Sequence, residues 1–384
     1  MTSTELRVTV VDADLVASTG MWGDCTDSWQ PPGAAWVGRL SALGVPYDVR
    51  ADVTTMPPPS GLVIDPTGRL AEACTDRVLV GEPPATAEET LRVIAEHLGA
   101  IVVPDLRGVL VLRLDDPGAA VKEHLRSWAH PAVGPDGWDA LWAALDGFGR
   151  VSVFCCPGYV LDDGTVVDSR RQLPDEWAAL DAGMARGVAD LECHGFTHMH
   201  PDTVAWAGAD DRKTDESWFR ELWPPRSAAE PDVDTQVERL SKWQAAVGSA
   251  GTTVVAPGER WGLNTLAAAE RCGFRLLNSW GICFLDRDVP TWSSGIGSPY
   301  LDEPDPGLFS DCLPQVGYWH DRDMAVHGPA WVTEQLDRWR DSGVRRAMSF
   351  ADLADACAPI DAALVDGDVV IRSAPDVSLR VVRP

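Results

Sequence analysis

At 384 residues the chain is long enough to bury a large core and to hold more than one domain. A formal net charge of −26 with a pI near 4.5 argues against nucleic acid and anionic membrane surfaces as partners. Nine cysteines, among them the adjacent pair Cys155-Cys156 and no C-x-x-C, form neither a disulfide framework nor a zinc-finger pattern. They suit a reducing compartment. The first residues, MTSTELRVTVVDAD, lack the basic region and long apolar run of a signal peptide, and no apolar stretch is long enough to span a bilayer. A cytoplasmic location is the expectation.

In chain order, LRVTVVD (6–12) reads as a buried parallel strand, followed by a Gly/Trp/Asp-rich loop and a helix that Gly44 closes. PYDVRAD, GLVIDP and DRVLVG read as further short strands. ATAEETLRVIAEHLGA is a clear helix, with Thr86 or Thr90 near its start and Gly99 past its end. The alternation predicts a small flavodoxin-like α/β domain over residues 1–105. It has no glycine-rich nucleotide motif and no nucleophile elbow.

A second α/β series begins near residue 106. GVLVLRLDDPG is an apolar strand that ends in Asp115-Asp116 and a Pro-Gly turn. A helix, the strand RVSVFCCPGYV, an exposed turn and the helix LPDEWAALDAGMARG lead to the strand Val188 to Cys193, which stops at His194. Residues 201–233 are a long Trp- and Pro-containing insertion, the kind of loop that serves as a lid or binding wall. Then come an amphipathic helix, the strand TTVVAPG, the helix GLNTLAAAERCGF and the strand FRLLNSWG. Residues 286–318 are irregular. DMAVHG reads as a strand ending at His327, and a helix and a strand-helix pair complete the series by residue 358. Residues 359–384 read as a short C-terminal β appendage.

The chemistry collects at strand ends, which share one face in a parallel barrel. In HGFTH, His194 and His198 stand four apart, so that on a helical turn both imidazoles project from one side and can grip one ion. His194, His198 and His200 are three of the chain's eight histidines. A lone histidine is more often a satisfied polar residue, and DDPG alone is good turn chemistry. Together, one Asp and two His form a ligand set that leaves coordination positions open, with a second carboxylate beside it to accept a proton. The seventeen tryptophans serve equally for core packing or for an aromatic pocket.

Residues 107–357 resemble the polysaccharide deacetylases, the NodB-homology or family-4 carbohydrate esterase group. RLDDPG stands where that family has T/S-F-D-D-G, and HGFTH where it has H-S/T-x-x-H, with Gly195 in place of the hydroxyl residue. The resemblance implies a distorted (β/α)7-type barrel over residues 106–358. It also implies a divalent metal, Zn²⁺ first, on Asp116, His194 and His198, with Asp115 as catalytic base. MAVHGPAWVTEQLDRWRDSG resembles the family's closing segment and makes His327 the general acid, with His320 as its rival. The family's Arg-Pro-Pro-Tyr-like turn is altered in VVAPGERWG: Ala256 falls where the Arg is expected, and Arg260 is the candidate replacement. Arg260, Trp261, Trp280 and His320 are the expected substrate-binding residues. The implied reaction is metal-dependent hydrolysis of an amide in a small N-acyl substrate, such as an N-acylated amino sugar. A cyclic amide or ureide hydrolase and a non-catalytic carbohydrate-binding relic are the alternatives.

Overall fold

Val109–Asp115 is buried at every position. A strand apolar on both faces needs cover on both sides, which the interior of a mostly parallel sheet provides. The computed structural model describes residues 3–17, 31–52, 61–68, 70, 78–224, 229–287, 290–293, 295–304 and 312–384. In it this strand pairs in parallel with Val151–Cys155, Gln315–His320 and, at its start, Arg346–Met348. From Val151–Cys155 the sheet continues in parallel through Ala189–Cys193, Thr253–Val255 and Leu276–Asn278. It ends in two antiparallel strands, Ile282–Phe284 and Thr291–Ser293. Residues 297–301 run beside Gln315–His320, and Asn278 Nδ2 donates to Ser298 Oγ at 3.0 Å. The result is a mixed α/β fold with a mostly parallel sheet at its core.

Side chains alternate along each strand. Leu110, Leu112 and Leu114 pack against the outer helices in one apolar cluster with Trp142, Trp177, Trp243 and Trp339. Many of the tryptophans are therefore core wedges. No helix among the described residues is long and apolar enough to cross a membrane.

The first third forms a four-stranded parallel sheet in the order Tyr47–Arg50, Val8–Val11, Leu62–Asp65, Val78–Val80. Its helix Ala87–Leu98 starts at Thr86, whose Oγ1 accepts from the Glu89 N–H, and stops at Gly99 with φ 85°. Parts of the Gly/Trp/Asp loop lie outside the described residues. One apolar cluster runs from Val8, Val10 and Leu40 to Val109, Val111 and Phe154, so the core passes across residue 105.

Two expectations require correction. The C-terminal segment is not an appendage. Asp361–Val365 pairs with Ser3–Glu5 and with Asp368–Ser373, and Leu379–Val382 pairs with Ile101–Pro104. Its alternating apolar residues find their partner edges in the N-terminal third. DMAVHG is not a strand either: Asp321–His327 is a helix, with Asp321 and Asp323 in its first turn and Gly328 after its end. Acidic residues suit a helix N-terminus, and the strand lies one segment earlier, in Gln315–His320.

Along Ala189–Cys193 and just past its end, Asp190, Glu192 and His194 follow one another at two-residue spacing. Glu192 is buried, and its Oε2 accepts from the Thr252 and Thr253 N–H groups, each at 2.7 Å. Burial, then the neighbouring Asp190, push its carboxyl up to about 8. The folded state thus keeps a proton that the unfolded chain releases above 4.5, so stability falls as pH rises across that window. Glu192→Gln retains the acceptor and removes the titration. Urea midpoints from pH 5 to 8 should fall more steeply in the parent than in this variant; parallel curves would refute the assignment.

Candidate metal and active site

In an extended strand, adjacent side chains point to opposite faces. Asp115 and Asp116 nevertheless line the same cavity. The reason is local: the strand ends at Asp115, and Asp116 takes φ 76°, a left-handed conformation uncommon outside glycine. His198 does the same at φ 66°. The loop after Ala189–Cys193 is therefore an irregular turn and not the helical turn expected from the four-residue spacing. It still brings both imidazoles together, with ring centroids 4.9 Å apart.

His194 Nε2 and His198 Nε2 stand 3.2 and 3.4 Å from Asp116 Oδ1. His194 is oriented from behind, its Nδ1–H donating to the Val255 carbonyl at 3.0 Å, which leaves the Nε2 lone pair facing the cavity. Trp128 Nε1 donates to Asp116 Oδ2 at 3.1 Å. Asp116 Oδ1 and His198 Nδ1 are buried without a hydrogen-bond partner. Burial opposes ionisation of Asp116, but His198, His194 and His320 outweigh it and hold the carboxyl well below its usual range. Burial draws His198 down to about 4, so its ring is neutral near pH 7. Burial opposes charge on His194 too, but Asp116 and Asp115 prevail and raise its pKa, so the two imidazoles differ. A buried carboxylate oxygen facing two imidazole nitrogens, all three ligand atoms within 4.8 Å, fits a divalent cation, which would take the place of the His194 proton.

The loop is stapled by Glu221, from the 201–233 insertion. Its buried Oε2 accepts from the Thr197 N–H at 2.8 Å and the His198 N–H at 3.0 Å. A Cβ at Gly195, whose φ is 73°, would fall 2.5 Å from that oxygen. Glycine in place of a hydroxyl residue makes room for Glu221. The insertion is a wall of the site: Trp206 and Trp218 anchor it in the core, and Phe219 and Arg220 face the cavity. Residues 225–228 lie outside the described residues.

Asp115 is held by a residue that motif reading missed. Arg113, two positions earlier and so on the same face, donates to Asp115 from Nε at 2.9 and 3.0 Å and from Nη2 at 2.6 Å. Nη2 also donates to Glu259 Oε1 at 2.6 Å, and Nη1 to Asn278 Oδ1 at 2.9 Å. The guanidinium is 2% exposed and lies 4.9 Å from the centroid of the Tyr318 ring. One signal was available: an arginine inside an otherwise apolar strand must find an acid.

His320, at the end of Gln315–His320, lines the same cavity. Its ring meets Trp128 edge-on at 4.8 Å and lies 5.9 Å from Tyr318. Burial opposes its charge, but Asp323, Asp116 and Asp115 prevail and raise its pKa. Trp280, 54% exposed, stands with Tyr300 and Tyr318 at the cavity, whose volume is about 300 Å³.

Other predicted residues lie elsewhere. His327 ends its helix exposed, stacked on Trp331 at 5.6 Å, because its segment is helical. Arg260 lies over the Trp223 ring at 4.4 Å and does not replace the family arginine. Trp261 is fully buried against Trp292. His200 accepts from the Asp202 N–H and stacks edge-on with Trp218. If the cavity histidine supplies a proton, His320→Gln should lower kcat/KM by about 10²-fold, while His327→Gln should stay within about twofold of the parent. The reverse order would reinstate His327.

No family model matches the sequence, and no curated protein matches it. Solved structures give partial likenesses. A pseudoenzyme of the CE4 family from Bacillus anthracis is 8% identical, with a TM-score of 0.37 over 65% of this chain and 66% of that one. The chitin deacetylase of Colletotrichum lindemuthianum is 11% identical, with a TM-score of 0.37 over 64% and 87%. A 4-alpha-glucanotransferase from Thermococcus litoralis is 12% identical, with a TM-score of 0.39 over 64% and 40%. Likenesses this partial carry no chemistry over to this chain.

Proposed function

We propose that this chain is a divalent-metal-dependent amide hydrolase that deacylates a small N-acylated molecule, an amino sugar foremost. One observation carries the reading. Two carboxylates at one strand end enter the same cavity in opposite situations: Asp116 presents a bare oxygen to two imidazoles, while Asp115 is held rigidly by Arg113. Asp116, His194 and His198 would hold the ion, and Zn²⁺ suits a set of one carboxylate and two imidazoles. When bound, such an ion acts as a Lewis acid toward a carbonyl and lowers the pKa of water.

The chain's own residues do the rest. Asp115, oriented by Arg113, accepts the proton from water as it attacks the acyl carbon. His320, among Trp128, Tyr300 and Tyr318, returns a proton to the departing nitrogen. Trp280 and Tyr300 offer flat apolar faces to the substrate body.

The test is metal content of the purified protein by elemental mass spectrometry, followed by an amide screen that separates released acid from ring-opened product. About one ion per chain and acetate release from N-acetyl compounds are expected. A ring-opened acid without a released fragment would move the assignment to cyclic amides. Folded protein that takes up no ion when supplied with one would overturn it.

A further inference from the structure

We propose that the substrate carries, besides its acyl amide, an anionic group, a carboxylate or phosphate, that docks on Arg220. This rests on the amide-hydrolase reading for the position of the amide, and on the cavity alone for the anion. Arg220 follows the short turn Glu216–Phe219 and lines the cavity that holds Asp116, His194 and His198. Among the described residues its side chain makes no hydrogen bond and no ion pair, although it is only partly exposed. Partly desolvated cations are ordinarily paired. Burial depresses its pKa and the neighbouring charge of Arg260 adds to this, while Glu216 and Glu259 act the other way through charge alone. Glu216 is exposed, and Glu259 is bonded to Arg113.

The seat of Arg220 is built. Gly258 takes φ 61°, and a Cβ there would collide with the Arg220 guanidinium, so glycine leaves the space that the side chain fills. Of the other arginines nearby, Arg113 is committed to Asp115, Glu259 and Asn278, while Arg260 lies over the Trp223 ring and does not line the cavity. Arg220 is thus the cavity cation left for a ligand. A guanidinium fork matches carboxylate and phosphate oxygens two at a time. A volume of about 300 Å³ is at the small end of ligand sites, so amide and anion belong to one compact molecule. The protein's net charge of −26 repels anions at long range, which makes this local pairing the source of any preference.

The experiment uses metal-loaded Asp115→Asn protein, in which turnover is blocked, and calorimetry at 0.15 M salt. Three probes share one ring and one acetamide: neutral N-acetylglucosamine, its uronate and its 6-phosphate. At least one anionic probe should bind about tenfold or more tighter than the neutral one, the worth of one charged hydrogen-bonded pair. The better of the two identifies the anion. A second substitution, Arg220→Gln, should erase the preference and leave neutral binding unchanged. Arg220→Lys should keep part of it, and serves if the Gln variant does not fold, as judged by circular dichroism. Equal affinities for all three probes, no binding by any, or a preference that survives loss of Arg220 would overturn the proposal. Anion preference without acetate release by the Asp115-bearing parent would leave the Arg220 site standing and remove the amide-hydrolase reading. Acetate release with no preference would do the opposite.

Discussion

Asp116→Ala is expected to empty the metal site and lower kcat/KM for amide hydrolysis by about 10³-fold or more, equivalent to about 4 kcal/mol of transition-state stabilisation. The carboxylate is the anionic member of the three-ligand cluster, and its Oδ1 is the atom both imidazoles face. Without it, only two imidazoles remain, and His198 has no hydrogen bond on Nδ1 to keep it oriented. The substitution also takes away the acceptor of Trp128 Nε1, so some of the loss could come from a displaced ring. Asp116→Asn separates the two effects, because it keeps an oxygen for Trp128 and removes the charge. Both variants should contain no more than background metal by elemental mass spectrometry, and the Asn variant should unfold closer to the parent. An Asp116→Ala protein that keeps about one ion per chain would show that these three residues are not the metal site.

Arg113→Met is expected to destabilise the fold by about 3–5 kcal/mol, the range for breaking a buried ion pair from one side. Arg113 pairs with both Asp115 and Glu259 and is itself almost wholly out of water. Its removal leaves Asp115, 1% exposed, without its counter-ion beside another carboxylate. Activity should fall as well, because nothing else described donates to both Asp115 oxygens. The triple change Arg113→Met, Asp115→Asn, Glu259→Gln removes the orphaned charges and should recover most of the stability but none of the activity. Urea unfolding at pH 7 measures the first effect, and acetate release the second. A single-variant loss under about 1 kcal/mol would mean that this network does not order the site.

Much of the site was legible because its parts are local. A buried apolar run that stops at two carboxylates, and a second strand that stops at a histidine pair, are short-range patterns. The reading failed where the pattern was ambiguous over a few residues. DMAVHG has enough apolar residues for a strand, but Asp321 and Asp323 in the first turn and Gly328 at the end make a helix, which carries His327 out of the cavity. The altered Pro-Gly turn suggested an arginine nearby in the chain, whereas the arginine bonded to Asp115 sits two residues before it.

The sequence by itself determined that the strand Val109–Asp115 stops at two adjacent carboxylates, that the strand Ala189–Cys193 stops at a histidine pair, and that a small parallel sheet precedes a larger one. These depend on side-chain alternation and on glycine and proline at turns, which neighbouring residues dictate. Only the tertiary structure decided which further histidine enters the cavity with Asp116, His194 and His198, which arginine holds Asp115, and that the chain's end pairs with its beginning. Arg113 meets Asn278 across 165 positions and Glu259 across 146. Glu221 reaches back 23 to brace His198. The pairing of a buried charge depends on which acid the folded chain brings within hydrogen-bond reach, and no spacing in the sequence records that distance.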